Sequence, residues 1–471
     1  MKEVYVMLSQ IGVIGMAVMG KNLALNLADH GLKVSIYNRT TSVSLEVIEE
    51  YPEMGLVLTE SIEQLVHSLS FPRKILLMVQ AGTPVDKVIE SLLPYLKPGD
   101  IVMDGGNSYY KDTIRRYHQL KLLNINFMGI GISGGEDGAR FGPAIMPSGD
   151  KETYIEVEPI LTAIAAKAYG EACSFYVGQD GSGHYVKMVH NGIEYGDMEL
   201  IAEAYNLLKQ VGGKNQVELQ AIFEEYNKGE LDSYLIEITA EILKKMDVET
   251  GLPLVDVILD VARQKGTGKW TAQESMDLNV DTSVLTAAVF SRFISEIKAL
   301  RIRASVVYED VKPESTIVDF DIIESVRRAL YASKLIAYAQ GFALLAAAAK
   351  ENKWNLDFAA IAKGWRGGCI IRAAFLNKIA QAYQDNLDLE HLLMAPEFVT
   401  TLKNYQADLR KVVILAIEKG IPVSAFANAL SYFDAFTASL LPANLIQAQR
   451  DFFGAHTFER VDKEGTFHEQ W

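Results

Sequence analysis

An α/β domain followed by a large all-helical domain and a carboxy-terminal tail is the architecture the sequence predicts, and three observations predict it. Short apolar runs alternate with helical patterns as far as Gly181, strand signals nearly stop after that, and apolar periodicity fades beyond Leu441-Pro442. Alternation of strand and helix patterns means βαβ units and a largely parallel sheet. Long stretches with apolar residues at mixed spacings of three and four mean helices. The expected boundaries are 1–180, 181–437 and 438–471.

In chain order, residues 10–14 read as a buried strand, 21–30 as a helix and 33–37 as the next strand. Strand signals continue at 74–79, 101–103 and 126–130, with a last one at 173–177. Pro84 sits near a helix start, where a missing N–H costs least. From Gly181 onward, helical periodicity covers 186–208, 234–243, 284–302, 322–349 and 409–419. Residues 341–349 are alanine-rich and apolar almost all round, which places that helix among other helices. Lys228-Gly229 with Tyr234-Leu235-Ile236 recurs at the same spacing as Lys363-Gly364 with Cys369-Ile370-Ile371, a faint echo of a duplicated helical unit.

Lys+Arg 45 against Asp+Glu 60 gives a net charge of −15, which disfavours nucleic-acid and anionic-membrane partners. Any anionic ligand must then meet a local cationic cluster. Cys173 and Cys369, far apart, argue against a disulfide framework or a cysteine metal site and fit a reducing, cytoplasmic setting. Lys2 followed by the apolar stretches 4–8 and 11–19 superficially resembles a secretion signal, but Glu3 and the repeated glycines fit a first strand and turn better. No apolar run approaches the ~20 residues of a membrane span.

The first strand runs into Gly12-Val13-Ile14-Gly15-Met16-Ala17-Val18-Met19-Gly20 and then a helix. Gly15-x-Ala17-x-x-Gly20 in that setting is a dinucleotide-binding fingerprint, because small residues let backbone N–H groups approach a pyrophosphate at the helix's positive end. The α/β domain is therefore expected to be Rossmann-like. Asn38 ends the second strand, at the distance past Gly20 where an NAD-binding chain normally carries an acidic residue. Arg39 beside it can make charge-assisted bonds to a 2′-phosphate, so NADP is expected, with Asn38, Arg39 and Thr40 at its adenosine end. Asn107 follows Asp104-Gly105-Gly106 at a strand's carboxyl end, where α/β sheets bind ligands.

Lys187, His190, Asn191 and Glu194 fall at offsets of three, four and seven. At roughly 3.6 residues per turn, these put an amine, an imidazole, a carboxamide and a carboxylate on one helix stripe. Burial can move lysine and glutamate pKa values toward neutrality from above and below, so a cleft holding both could take a proton at one carbon and give one at another. Two competing motifs fail on context. Gly131-Ile132-Ser133-Gly134-Gly135 matches a nucleophile elbow, but residues 136–143 read as a loop rather than the required helix. Lys265-Gly266-Thr267-Gly268-Lys269 hints at a P-loop, but Trp270 occupies its Ser/Thr position and no glycine opens the motif.

These motifs, in this order, with Gln264-Lys265-Gly266-Thr267-Gly268-Lys269-Trp270, Phe290-Ser291-Arg292 and the run from Asn444 through Arg450-Asp451 to Gly454-Ala455-His456-Thr457, closely resemble the decarboxylating 6-phosphogluconate dehydrogenases over practically the whole chain. The resemblance implies NADP-dependent oxidation of 6-phosphogluconate at C3, then loss of C1 as CO2, giving ribulose 5-phosphate and NADPH in the pentose phosphate pathway, without a metal. It implies that Lys187 is the general base and later acid at the C3 oxygen, its proton loss helped by nearby cations, and that Glu194 protonates the enediol carbon. Substrate contacts carry over onto Asn107, Ser133, Gly134, Gly135, His190, Asn191, Tyr195, Lys265, Arg292, Arg450 and His456. Cofactor contacts carry over onto Gly12, Gly15, Met16, Ala17, Val18, Met19, Gly20, Asn38, Arg39, Thr40, Val79, Gln80, Ala81 and Asn107. Gln80 departs from the lysine many relatives carry. Arg450 and His456 come from the other subunit in the family, which implies a homodimer with two shared sites and a tail docked on the partner. Glu194, that tail segment and the double-length helical half separate the chain from 3-hydroxyacid dehydrogenases that do not decarboxylate.

Overall fold

The computed structural model describes residues 8–311 and 319–471. The signal-like features at Lys2, Glu3 and residues 4–7 lie outside the described residues.

The first domain is built on seven strands: β1 (Ile11–Ile14), β2 (Val34–Tyr37), β3 (Val57–Leu58), β4 (Lys74–Leu77), β5 (Ile101–Asp104), β6 (Asn126–Ser133) and β7 (Ala144–Ser148). Their order is β3-β2-β1-β4-β5-β6-β7, parallel through β6 with β7 antiparallel at the edge. The central strands are covered on both faces, which is why they read as continuous apolar runs rather than alternating ones. Chain order reverses between β1 and β4, so a crevice opens beyond their carboxyl ends.

Residues 173–177, expected as a strand, do not form one. They lie extended along β7 through bridges at Ile145 with Ser174 and Ser148 with Gly178. From the first bridge to the second, β7 advances by three positions and its neighbour by four, so an extra residue breaks the ladder.

The second domain centres on two long helices, Ser182–Gln210 and Ile322–Asn352. The latter is long and apolar enough to cross a membrane, yet 78% of its most apolar window is buried inside the protein, so it is a core helix, as its alanine-rich sequence implies. The helix expected over 284–302 breaks at Ile297 into Ser283–Glu296 and Lys298–Val307, with Lys298 and Arg301 both drawn to Asp260.

Asp197 and Lys334 join the two long helices by an ion pair of 2.7 Å, with both side chains at most 1% exposed. Burial raises the Asp197 carboxyl above its ordinary range against the opposing pull of Lys334. Lys334→Met, which strands a buried carboxylate, is expected to lower stability by about 3 kcal/mol in urea unfolding, and Asp197→Leu added to it should restore part of the loss.

The tail is more regular than its sequence implies. It forms a helix, Ala443–Gly454, and an antiparallel strand pair, Phe458–Glu459 with Thr466–Phe467. Asp451, fully buried, organises it by accepting from the backbone N–H of Thr457 and Glu469 and from Trp471 Nε1, and by pairing with His468.

Candidate active site

The helix Ser182–Gln210 lies directly on β6 and β7 because glycines remove the side chains that would hold it off. A Cβ on Gly131 would come within 2.5 Å of the Lys187 Cβ, and one on Gly183 within 2.3 Å of the Met146 carbonyl oxygen. This contact sets Lys187 against the carboxyl end of β6, beside Ser133.

The four stripe residues share one site. His190 is fully buried between the others: its Nδ1 lies 3.1 Å from Asn191 Oδ1, 3.4 Å from Lys187 Nζ and 3.8 Å from Glu194 Oε2, and its Nε2 lies 3.3 Å from Ser133 Oγ. With Nδ1–H donating to Asn191, Nε2 is left to accept from the Ser133 hydroxyl. Asn191 Nδ2 donates in turn to Thr267 Oγ1 at 3.1 Å.

Burial lowers the Lys187 pKa, while Glu194 and the Cys369 thiol act in the opposite sense. The expectation that nearby cations would drive off its proton is therefore corrected: desolvation does so. Burial raises the Glu194 carboxyl, opposed by Lys187 and Arg292 and helped by Asp197. Burial, then the Lys187 charge, holds His190 well below its usual range, so the imidazole is neutral. Burial thus pushes the amine toward its uncharged form and the carboxyl toward its protonated form, with the imidazole between them.

Around this core, the Arg292 guanidinium stacks 3.5 Å over the Tyr195 ring, and Gly268 leaves room for the same ring. Ser133 is buried, and Gly134 (φ 117°) and Gly135 (φ 62°) turn the chain after β6 in a conformation that favours glycine, leading into the helix Gly135–Phe141 where residues 136–143 read from sequence as a loop. Asn107 is exposed on the turn after β5, which Asp104 shapes by accepting from the Gly106 N–H and the Ser108 hydroxyl. Lys265 stands just before the helix Thr267–Asp277, with no ion-pair partner among the described residues.

Arg450 and His456 are not brought to this site within one chain. Both are exposed on the tail, where Arg450 bonds to Gln447 and His456 packs edge-on against Phe453. No hydrogen bond or ion pair among the described residues links either to the stripe.

Four neighbours escaped the sequence reading. Thr267 anchors Asn191; Trp365 stands edge-on to His190, ring centres 5.5 Å apart; a Cβ on Gly134 would meet the Gly368 carbonyl oxygen at 2.6 Å; and the Cys369 thiol, pushed up to about 12 by burial, neighbours Lys187. The glycine cluster Gly364-Trp365-Arg366-Gly367-Gly368 inside a helical half was the available signal.

At the other side of the sheet's crevice, Gly15 has φ 99°, and a Cβ on it would lie 2.4 Å from the Met78 carbonyl oxygen. A Cβ on Gly20 would lie 1.8 Å from the Gly15 carbonyl oxygen, so neither position admits a larger residue. The helix Val18–Asp29 starts without a side-chain cap, leaving its first N–H groups free for an anion. Asn38 Oδ1 accepts from the Met16 N–H at 3.1 Å, which ties the end of β2 to the fingerprint turn. Arg39 is exposed and has no hydrogen-bond or ion-pair partner among the described residues. Val79, Gln80 and Ala81 follow the end of β4 on the same crevice. This donor set fits a dinucleotide carrying an extra phosphate.

A family model described as the NAD binding domain of 6-phosphogluconate dehydrogenase matches residues 10–178, and one described as the 6-phosphogluconate dehydrogenase C-terminal domain matches residues 183–471. The chain is 56% identical over 464 residues to an NADP(+)-dependent, decarboxylating 6-phosphogluconate dehydrogenase of Bacillus subtilis, covering 98% of this chain and 99% of that one. It is 55% identical over 465 residues to a decarboxylating 6-phosphogluconate dehydrogenase of Escherichia coli, with the same coverage. The solved 6-phosphogluconate dehydrogenase of Plasmodium falciparum, described in apo form and in complexes with its cofactor NADP+ and its substrate 6-phosphogluconate, superimposes with a TM-score of 0.94 at 42% identity, covering 98% of this chain and 100% of that one.

Proposed function

The chain belongs to the 6-phosphogluconate dehydrogenase family, and from that premise we propose how its own residues carry out the NADP-dependent oxidative decarboxylation of 6-phosphogluconate. The observation that carries the assignment of roles is the buried stripe, in which Lys187 and Glu194, with pKa values moved toward each other, both approach His190.

Bound NADP supplies the hydride acceptor. The neutral Lys187 amine takes the proton of the C3 hydroxyl as hydride leaves C3, and the resulting ammonium returns it to the C3 oxygen as the C1–C2 bond breaks and CO2 departs. Glu194 gives its proton to C2 of the remaining enediol while Lys187 recovers the C3 hydroxyl proton, which yields ribulose 5-phosphate. The turnover leaves Lys187 charged and Glu194 ionised, and His190, 3.4 and 3.8 Å from them, lies on the route by which the proton returns. Ser133, Gly134, Gly135, Asn107 and Asn191 line the sugar acid, and Lys265, Tyr195 and Arg292 form the cationic and aromatic end for its phosphate. Incubating the purified protein with 6-phosphogluconate and NADP should produce NADPH and CO2 in equal amounts; NADPH without CO2 would contradict the decarboxylating assignment.

Gly12, residues 15–20, Asn38, Thr40 and residues 79–81 hold the dinucleotide, and Arg39 meets the 2′-phosphate. Arg39→Glu removes a charge-assisted bond and adds repulsion, so the ratio of kcat/KM for NADP over NAD should fall by about 100-fold. An unchanged ratio in parallel assays would refute the assignment.

The functional unit is a homodimer in which Arg450 and His456 of one chain complete the site of the other. Exposed Phe290, Ile294, Leu300 and Val306 on the helices Ser283–Glu296 and Lys298–Val307, and Leu445, Phe452 and Phe453 on the tail, support a second copy as the cover. The helical domain reads as two related units: the step from Ser182 to Ile322, where the long helices begin, equals the step from Ser233 to Ala373, which bridge one another, and it is longer than the step from Lys228-Gly229 to Lys363-Gly364 that the sequence echo uses. Two free, buried cysteines fit the cytoplasm.

A further inference from the structure

Glu274 lies on the helix Thr267–Asp277 with its side chain 2% exposed. Three donors converge on its carboxylate. Tyr109 Oη donates to Oε1 at 2.8 Å, Tyr110 Oη donates to Oε2 at 2.7 Å, and Lys111 Nζ lies 2.8 Å from Oε1. All three belong to the chain that leaves the Asn107 turn and opens the helix Tyr110–Lys121, on the dinucleotide side of the molecule.

The same short helix is bonded to the catalytic stripe. Thr267 accepts from Asn191, Thr271 Oγ1 donates to the Met188 carbonyl at 2.9 Å, and Gly268 seats the Tyr195 ring. Trp270 also packs on Tyr109, ring centres 5.0 Å apart. One helix therefore touches the Lys187 stripe through its first turns and the Asn107 turn through Glu274. A buried carboxylate is costly unless its oxygens are met. Here each donor side chain comes from the opposite segment, so the charge stays satisfied only while the two segments keep this relative position.

We propose that Glu274 is a positioning residue that sets the spacing between the Asn107 turn and the Lys265 to Thr267 segment, and so sets affinity for the phosphorylated sugar acid. The proposal rests on the reading of Asn107 and Lys265 as substrate contacts. It separates binding from chemistry, because Lys187 is set by the packing of its helix on β6 and neither Lys187 nor Glu194 bonds to Glu274.

Glu274→Gln keeps the shape and loses the charge. The KM for 6-phosphogluconate should rise by about tenfold while kcat stays within about threefold of wild type. Tyr110→Phe deletes one donor with little change of volume and should raise the same KM by about threefold, which keeps the test open should Glu274→Gln fail to fold. A lower melting temperature with an unchanged KM in both variants would make Glu274 a structural staple only and overturn the proposal. Asn107→Ala separates the two levels. A normal KM there removes the substrate-site reading and the proposal with it, whereas a raised KM there beside a normal one in Glu274→Gln and Tyr110→Phe defeats the positioning role alone.

Discussion

Lys187→Ala is expected to lower kcat/KM for 6-phosphogluconate by about 10³-fold or more, the range general-base catalysis supplies, while NADP binding measured by titration stays within about twofold of wild type. The amine reaches C3 chemistry only when uncharged, and burial supplies the uncharged form by lowering its pKa from 10.5. Activity that depends on a neutral amine is lost as pH falls through the lowered pKa, so the acid limb of the kcat/KM profile belongs to Lys187. Lys187→Arg should be as inactive as the alanine variant, since a guanidinium keeps its proton throughout the assay range. Substantial NADPH formation by either variant would remove Lys187 from the base role.

Glu194→Gln should separate the two halves of the reaction. Single-turnover NADPH formation is expected to survive, because the base and the hydride path are intact, while steady-state turnover falls by about 10²- to 10⁴-fold for want of a proton donor at C2. Its carboxyl, raised above 4.5 by burial, must be protonated to act, so activity is lost as pH rises through that raised value. The wild-type profile is thus bell-shaped, and the base limb should disappear from the glutamine variant. Solvent-deuterium entry at the new CH2 of the product, followed by NMR, reads the step directly. If the variant releases deuterated product at the wild-type rate, another group protonates C2.

The α/β half is legible in the sequence wherever the signal is local. The strands at 10–14, 33–37, 74–79, 101–103 and 126–130 and the fingerprint turn all form as expected, because a buried parallel strand and a glycine-bounded turn are specified by residues within a few positions of one another. Three of the misses share a different cause. The one-residue slip beside β7 depends on pairing across the sheet, and the break at Ile297 goes with Asp260, which receives Lys298 and Arg301. The order within the tail comes from Asp451, whose partners include His468, Glu469 and Trp471 well beyond it.

Helical spacing alone placed Lys187, His190, Asn191 and Glu194 on one ridge, and motif order alone pointed to the family and its coenzyme. Folding decided what that ridge can do. Burial against β6 lowers the Lys187 pKa, a desolvation no spacing encodes. Thr267, Trp365, Gly368 and Glu274 entered the site for the same reason: they come from segments remote in the chain, and burial and hydrogen-bond satisfaction exist only once such segments are packed together. Arg450 and His456 stand outside the site of their own chain: both lie exposed on a tail folded around its own Asp451, and among the described residues no hydrogen bond or ion pair links either to the Lys187 stripe.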